Sequence, residues 1–420
     1  MRRTWTAADL RAPWAIVEQE MTQPLEPLSM GGAQGVYLLL RHRGRPAGRL
    51  LIGRSAFGAE VPTDRLGALV QDTGGPMATA YGLYDHLTAG LAPPALPPLT
   101  IAVCTRNRAV LLRRTLEALV RLRDGRTGDA VPFEIMVVDN APPDSSTHDA
   151  VTEFAGVRYA MEPVPGLDFG RNRALRETDR PYLGFIDDDA VPDHGWLDGF
   201  AESLRDQPAA GAFTGPVLPM ILETEAQVRF EAAGGFGEGI DWRSYRRRRW
   251  NDPFYPANTG RLGTGTNMIF RTETLRDLDG FDEALDTGPP LPGGGDLDIF
   301  YRVVRSGAPL AYSPRQAVRH EHRQDMPGLR RQFRSWGLSM GALMRKNARH
   351  DPETRAAHRR VLSWLLVQHY GRMLAGHPLG RAALPPGFVL SEISGLIQGL
   401  FGEYDRSLAR VAQRRKDHAA

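Results

Sequence analysis

Apolar positions along this chain change their period as the sequence is read. From Leu99 to Arg205, short near-continuous apolar runs alternate with segments whose apolar residues recur every three or four positions. LTIAVC (Leu99–Cys104), FEIMVV (Phe133–Val138) and YLGFI (Tyr182–Ile186) predict strands covered on both faces, and VRYA (Val157–Ala160) predicts a weaker one. Between them, Val110–Leu122 carries Leu112, Leu116, Leu119 and Val120 on one helical face. Arg171–Glu177 predicts a short helix, and Gly195–Arg205 repeats the helical spacing with Trp196, Leu197, Phe200 and Leu204. Strands alternating with helices predict an α/β fold built on a mainly parallel sheet. In such sheets ligands lie beyond the strand C-termini, which points to the residues after Cys104, Val138 and Ile186. Further on, Leu297, Phe300, Tyr301 and Val304 share a helical face that Gly307 ends, and Pro309–Val318 predicts another strand.

The flanks have a different pattern. Val36–Gly53 reads as two strands around an Arg-Gly-Arg-Pro turn, and LAPPALPPLT (Leu91–Thr100) reads as a stiff extended linker. From about residue 326 the pattern is helical, with HPLG and LPPG loops. The expected organisation is a small β-containing accessory domain (1–96), a catalytic α/β domain (97–325) and a helical C-terminal region (326–420). No internal repeat is present in the sequence.

Composition narrows the chemistry. With 42% apolar and 24% charged residues, the 420-residue chain is expected to fold as a globular protein. Its one cysteine, Cys104, excludes an intrachain disulfide and a cysteine-based metal cluster, and fits a reducing compartment. Lys346 and Lys416 are the only lysines, against 50 arginines, and neither follows glycine in a phosphate-binding loop. P-loop and protein-kinase chemistries are thereby excluded. No apolar run of about 18 residues occurs, and MRRTWTAADL lacks a signal-peptide core, so a cytoplasmic protein is expected. Charge is unevenly spread: residues 326–420 carry 16 Lys and Arg against 6 Asp and Glu, a net +10, and residues 1–325 carry −7. The basic region is either a solvated helical face or a surface for an anionic partner, including peripheral contact with a membrane.

Candidate chemistry lies at the strand ends. Asp187-Asp188-Asp189 follows Ile186 directly. Three adjacent carboxylates repel one another unless a cation is present, and oxygen ligands suit magnesium, calcium or manganese. Asp139 after Val138 can accept hydrogen bonds from a ribose or base. Thr105-Arg106-Asn107-Arg108 precedes a helix and forms an anion and base contact, or else Asn107 merely caps that helix. Asp296 follows three glycines at the predicted N-cap of the next helix. A cap alone would justify it, but the glycines also let a substrate approach closely. His320-Glu321-His322 reads locally as a surface pair, with a histidine also able to join the cation. Arg246–Arg249 is either a solvated charge run or a grip for a phosphate-bearing acceptor.

In order, TIAVCTRNRAVLLRRTLEAL, FEIMVVDNAP, PGLDFGRNRAL, YLGFIDDDAVP, GTGTNMIFRTETLRDLDGFDEAL, GGGDLDIFYRVVRSG and AVRHEHR resemble the motifs of the family 2 glycosyltransferases with the type A fold, over roughly residues 99–323. The resemblance implies an inverting transfer of sugar from a UDP-, GDP- or dTDP-type donor to a glycan, lipid-linked or small-molecule acceptor, assisted by Mn2+ or Mg2+. It implies Asp187 and Asp189 as metal ligands with His320, and Asp188 near the ribose. It further implies Asp139, Thr105, Arg106 and Asn107 around the nucleotide, Arg171 near the phosphates, and Asp296 as catalytic base. Two departures stand out: Arg106 where many members have an aromatic residue, and Gly295 where the family often has a glutamate. The competing readings are a metal-dependent phosphohydrolase using Asp187 and Asp189, and a non-catalytic nucleotide-sugar-binding relative.

Overall fold

The computed structural model describes residues 4–125, 133–237, 239–247, 252–376 and 382–419. An eight-stranded mixed sheet forms its centre, in the order Arg243–Tyr245, Leu310–Tyr312, Ala212–Thr214, Asn267–Arg271, Tyr182–Ile186, Leu99–Thr105, Glu134–Asn140 and Val157–Glu162. The last four strands run parallel to one another, and Asn267–Arg271 joins them antiparallel. The mixed α/β fold read from the sequence is what the chain has.

The apolar runs are explained by burial on two faces. Ile101, Val103, Ile135 and Val137 point to a layer with Leu112, Leu116 and Leu119 of the Ala109–Asp124 helix and Trp196, Leu197 and Phe200 of the Trp196–Asp206 helix. Ala102, Met136 and Val138 point the other way, toward Ala174 and Leu175 of Leu167–Glu177 and Ile299, Phe300, Val303 and Val304 of Gly295–Ser306. Alternate side chains thus meet opposite helical layers, and neither face is left for polar residues.

The strand expected over Pro309–Val318 is divided. Leu310–Tyr312 pairs in the central sheet, a turn follows in which the Gln316 N–H donates to the Ser313 carbonyl, and Val318–His320 joins a second small sheet between Ala190–Pro192 and Val217–Pro219. This second sheet sits over the rim of the first.

At the N-terminal end, strands Trp14–Glu20, Gly35–His42 and Arg45–Gly53 form a sheet. One of its faces packs on Leu66 and Val70 of the Thr63–Thr88 helix. Trp14, Tyr37 and Leu39 on the other face pack against Leu218, Leu222, Val228 and Ala317. The Arg41 guanidinium closes this contact with a buried two-pronged bond to Asp193, 2.8 Å at each oxygen. The N-terminal part therefore buttresses the loop that follows the aspartate triplet.

The C-terminal region is helical. Met326–His350 packs on Pro386–Gln398 through Gly337 and Gly341 on one helix, and Gly395 in the other with Gly399 just beyond its end. A Cβ at Gly337 would stand 2.0 Å from the Glu392 carbonyl oxygen, and one at Gly395 2.0 Å from that of Arg334. The backbones touch where glycines face each other, so larger residues would force them apart. Among the described residues, no helix is long and apolar enough to cross a membrane.

Candidate active site

The site forms where the strand ends meet the second sheet. Asp187 is partly exposed, and Asp188 and Asp189 are buried. The Thr115 hydroxyl pins the turn from the neighbouring helix by donating to the carbonyls of Asp188 (3.0 Å) and Ala190 (2.9 Å). Antiparallel register pairs Ala190 with His320, and the Glu321 N–H donates to the Asp189 carbonyl at 3.0 Å. The register carries His320 across more than a hundred residues of sequence to the triplet. Its Nε2 lies 3.1 Å from Asp189 Oδ1.

One ligand atom each from Asp187, Asp189 and His320 lies within 4.8 Å of the others. Two carboxylate oxygens and an imidazole nitrogen at this spacing fit a divalent cation such as Mn2+ or Mg2+. The surface reading of the His-Glu pair does not hold: His320 is partly buried beside Asp189, and Glu321 turns away to Arg114 at 2.6 Å. Behind His320, His322 Nδ1 is 3.3 Å from His320 Nδ1, and His322 Nε2 is 2.8 Å from Glu231. A carboxylate only accepts, so His322 donates through Nε2 and its Nδ1 is left to accept from His320. His320 Nε2 is thereby turned to the aspartates, where it would be the ligand atom for a bound cation. Burial keeps His322 below the ordinary histidine range, which fits a neutral ring.

Asp188 has other partners. The Thr105 hydroxyl donates to it at 2.6 Å, and Arg108 bridges Asp188 and Asp189, reaching the latter at 2.6 Å. Burial pushes the Asp188 carboxyl up to about 7 against the pull of Arg108. Asp189 is equally buried, but His320 and Arg108 overcome burial and hold its carboxyl below the usual range. Asn107 does not cap the following helix: it takes a left-handed φ of 54°, Arg108 stands at the cap position, and no side chain caps there. Arg106 and Asn107 are exposed at the strand end. Asp139 is fully buried at the next strand end, accepts from the Tyr159 hydroxyl at 3.0 Å, and is raised by burial.

Asp296 is the second residue of its helix rather than the N-cap; Gly294, in a left-handed conformation, occupies that position. Its Oδ2 accepts from the Gly265 N–H at 2.8 Å, and Thr266, the next residue, donates its hydroxyl to Asp187 at 2.6 Å. One dipeptide therefore ties Asp187 to Asp296. A Cβ at position 265 would lie 2.6 Å from the Arg171 guanidinium and 3.2 Å from the Asp296 side chain, so a larger residue would displace one of them. Gly265 and Thr266 lie within the GTGTNMIF segment, whose local sequence carries no sign of this link.

Arg171 is buried between Asp168 at 2.8 Å and Asp286 at 3.2 Å. Burial raises both carboxyls, Asp286 to about 6 and Asp168 well above its ordinary value. The structure also accounts for Gly295. A Cβ there would meet Asp168 Oδ2 at 1.9 Å, and the Gly295 N–H donates to Asp286 at 2.9 Å. The space beside the Asp296 backbone is filled by carboxylates from two distant segments.

Asp187, Arg171, His320 and Asp296 all line one cleft of about 1400 Å³. Its far wall is made of Trp336, Met340, Leu365, Tyr370 and Met373 from the C-terminal helices. Aromatic contacts connect the two sides: Phe236 meets His320 at 5.3 Å and Trp336 at 6.2 Å between ring centres. Of the arginine run, Arg246 and Arg247 are away from this lining, and Arg248 and Arg249 lie outside the described residues. Lys346, the lysine a phosphohydrolase reading would need, is engaged by Asp282 and Asp298, each at 2.6 Å.

Comparison with known proteins bears on the same region. The model of Glycosyl transferase family 2 matches residues 100–278. The chain is 26% identical over 253 residues to the pre-mycofactocin glycosyltransferase of Mycobacterium tuberculosis (strain ATCC 25618 / H37Rv), covering 58% of this chain and 47% of that protein. It is 27% identical over 262 residues to the succinoglycan biosynthesis protein ExoM of Rhizobium meliloti (strain 1021), covering 60% and 76%. The chain thus spans about half the length of the first of these relatives. Among solved structures, it is similar to the mannosyltransferase PcManGT of Pyrobaculum calidifontis in complex with GDP-Man and Mn2+, with a TM-score of 0.49 and 16% identity over 77% of this chain and 94% of that one.

Proposed function

We propose that this chain, which carries a glycosyl transferase family 2 region over residues 100–278, transfers a sugar from a nucleotide-diphosphate donor to an acceptor hydroxyl with inversion. The single observation that carries the reading is that Asp187 and His320 of the Asp187–Asp189–His320 cluster line one cleft with Asp296, joined to it through Gly265-Thr266.

In this proposal Asp187, Asp189 and His320 hold Mn2+ or Mg2+. When bound, the cation neutralises charge on the leaving diphosphate. Asp139, Thr105, Arg106 and Asn107 receive a UDP-, GDP- or dTDP-type nucleotide, with Asp188 near the ribose. Arg171, paired with Asp168 and Asp286, lines the cleft on the phosphate side. Asp296 accepts the proton of the acceptor hydroxyl as its oxygen attacks the anomeric carbon from the face opposite the nucleotide, a role typically worth about 10²–10⁴-fold in rate. The acceptor, whether glycan, lipid-linked or small-molecule hydroxyl, enters along the helical wall of the cleft.

Calorimetry with UDP, GDP and dTDP, each with and without Mn2+, tests the donor half. One nucleotide is expected to bind tightly only with the metal. Equal, metal-independent binding of all three would overturn it.

A further inference from the structure

The C-terminal helices that wall the cleft turn an unusual face to solvent. On the Pro386–Gln398 helix, Leu390, Ser394 and Ile397 fall within a sector of roughly 60°. Leu390 is 57% exposed and Ile397 48%. Phe401, just beyond the helix, is 75% exposed. One flank of this helix, with Val389, Ile393 and Leu396, packs on Leu365, Tyr370 and Met373. That neighbouring segment in turn exposes Leu366, Val367 and Leu374. Solvated helical faces are ordinarily lined with charged residues, and this one is apolar.

Its border is cationic. Arg330 donates to the Ser391 hydroxyl at 2.6 Å and Arg334 to Gln398 at 2.5 Å. Ser391 and Gln398 both lie roughly 90° around the helix from Leu390, on one side. Two exposed guanidinium groups therefore run along one flank of the apolar stripe, within a region of net charge +10. Helices with an apolar outer stripe and a basic rim lie in the interface of anionic bilayers, with side chains inserted among the acyl chains and arginines at the headgroups.

We infer that the outer face of the Pro386–Gln398 helix, with Leu366, Val367 and Leu374 beside it, docks on the surface of an anionic lipid bilayer. Charge complementarity selects this occupant over a second copy of the chain, whose matching face would carry the same positive rim. Leu365, Tyr370 and Met373 of that neighbouring segment line the cleft. A docked molecule therefore holds the cleft close to the membrane. The inference deepens the proposed transfer by naming where the acceptor is met, but bilayer docking requires no catalysis.

Sedimentation of the full chain with vesicles tests it. The protein is expected to pellet with phosphatidylcholine–phosphatidylglycerol vesicles, to remain in solution with phosphatidylcholine alone, and to be released by salt. The triple variant L390S/I397S/F401S should lose roughly a hundredfold in vesicle partitioning, three apolar anchors having been removed, while keeping its Tm and its nucleotide affinity. D296N, which tests the catalytic proposal, should pellet like the parent protein. Failure of the parent to bind anionic vesicles at low salt, or full binding by the triple variant, would overturn the inference. So would a lipid-free dimer that the triple substitution dissociates, since a second copy would then be the occupant.

Discussion

At the rim of the central sheet, polar groups are gripped by other polar groups from distant segments: Asp187 by Thr266, Asp188 by Thr105 and Arg108, Asp189 by His320 and Arg108. The helical wall across the cleft is held by glycine contacts and apolar packing. The guanidinium groups of its cleft-lining arginines, Arg323, Arg331 and Arg372, make no hydrogen bond or ion pair among the described residues. The difference separates two tasks. The rim fixes carboxylates and an imidazole in a set geometry, at the cost of burying charge that must be paired. The wall presents guanidinium groups still free for a ligand, and needs only shape from its own packing. Substitutions at the rim should therefore remove chemistry and spare the fold, and substitutions in the wall should do the reverse.

The largest expected effect tests the rim. Asp296→Asn keeps the acceptor of the Gly265 N–H but removes the proposed base, so kcat/KM should fall about 10²–10⁴-fold with Tm little changed. Near-full turnover by a folded Asp296→Asn variant would remove Asp296 from the mechanism. Next, Glu231→Gln weakens the orientation of His322 and through it His320. Mn2+ affinity measured by calorimetry should drop about 10–100-fold, with a much smaller effect on nucleotide binding in the absence of metal.

On the wall side, Gly337→Ala places a methyl against the Glu392 carbonyl. Denaturant unfolding should show a loss of about 1–3 kcal/mol, while metal affinity at the rim stays as in the parent. Loss of metal affinity with unchanged stability would reverse the comparison.

The smallest effect is a pH dependence. Glu392 lines the cleft, and burial pushes its carboxyl up to about 7, only partly opposed by the Tyr370 hydroxyl. Because the folded value lies above the unfolded one, its contribution is fully present below about pH 4.5 and is lost as pH rises through about 7. The Tm of the parent should fall relative to that of Glu392→Gln over that window. Parallel Tm profiles for the two proteins would show that Glu392 is not held neutral.

The sequence was informative where structure is local. Strand and helix periods located the central elements, because each apolar run must face two helical layers. Ile186 leading into three aspartates marked the rim, because strand ends are where an open sheet meets its ligand. Other features were misread for an equally local reason. The apolar content of Pro309–Val318 cannot reveal that the chain changes sheets midway. Asn107 and Asp296 both have the chemistry of caps, but backbone conformation put Arg108 and Gly294 at the cap positions.

By itself, then, the sequence determined the α/β core, the acidic rim and the division between an acidic body and a basic tail, all of which depend on neighbours in the chain. Only the tertiary structure decided that His320 stands opposite Ala190, that Glu231 reaches it through His322, and that Gly265-Thr266 links Asp296 to Asp187. It also decided that glycines on two helices meet face to face. These contacts are set by strand register and helix packing between segments far apart in the chain, and such pairings leave no periodic trace in either segment alone.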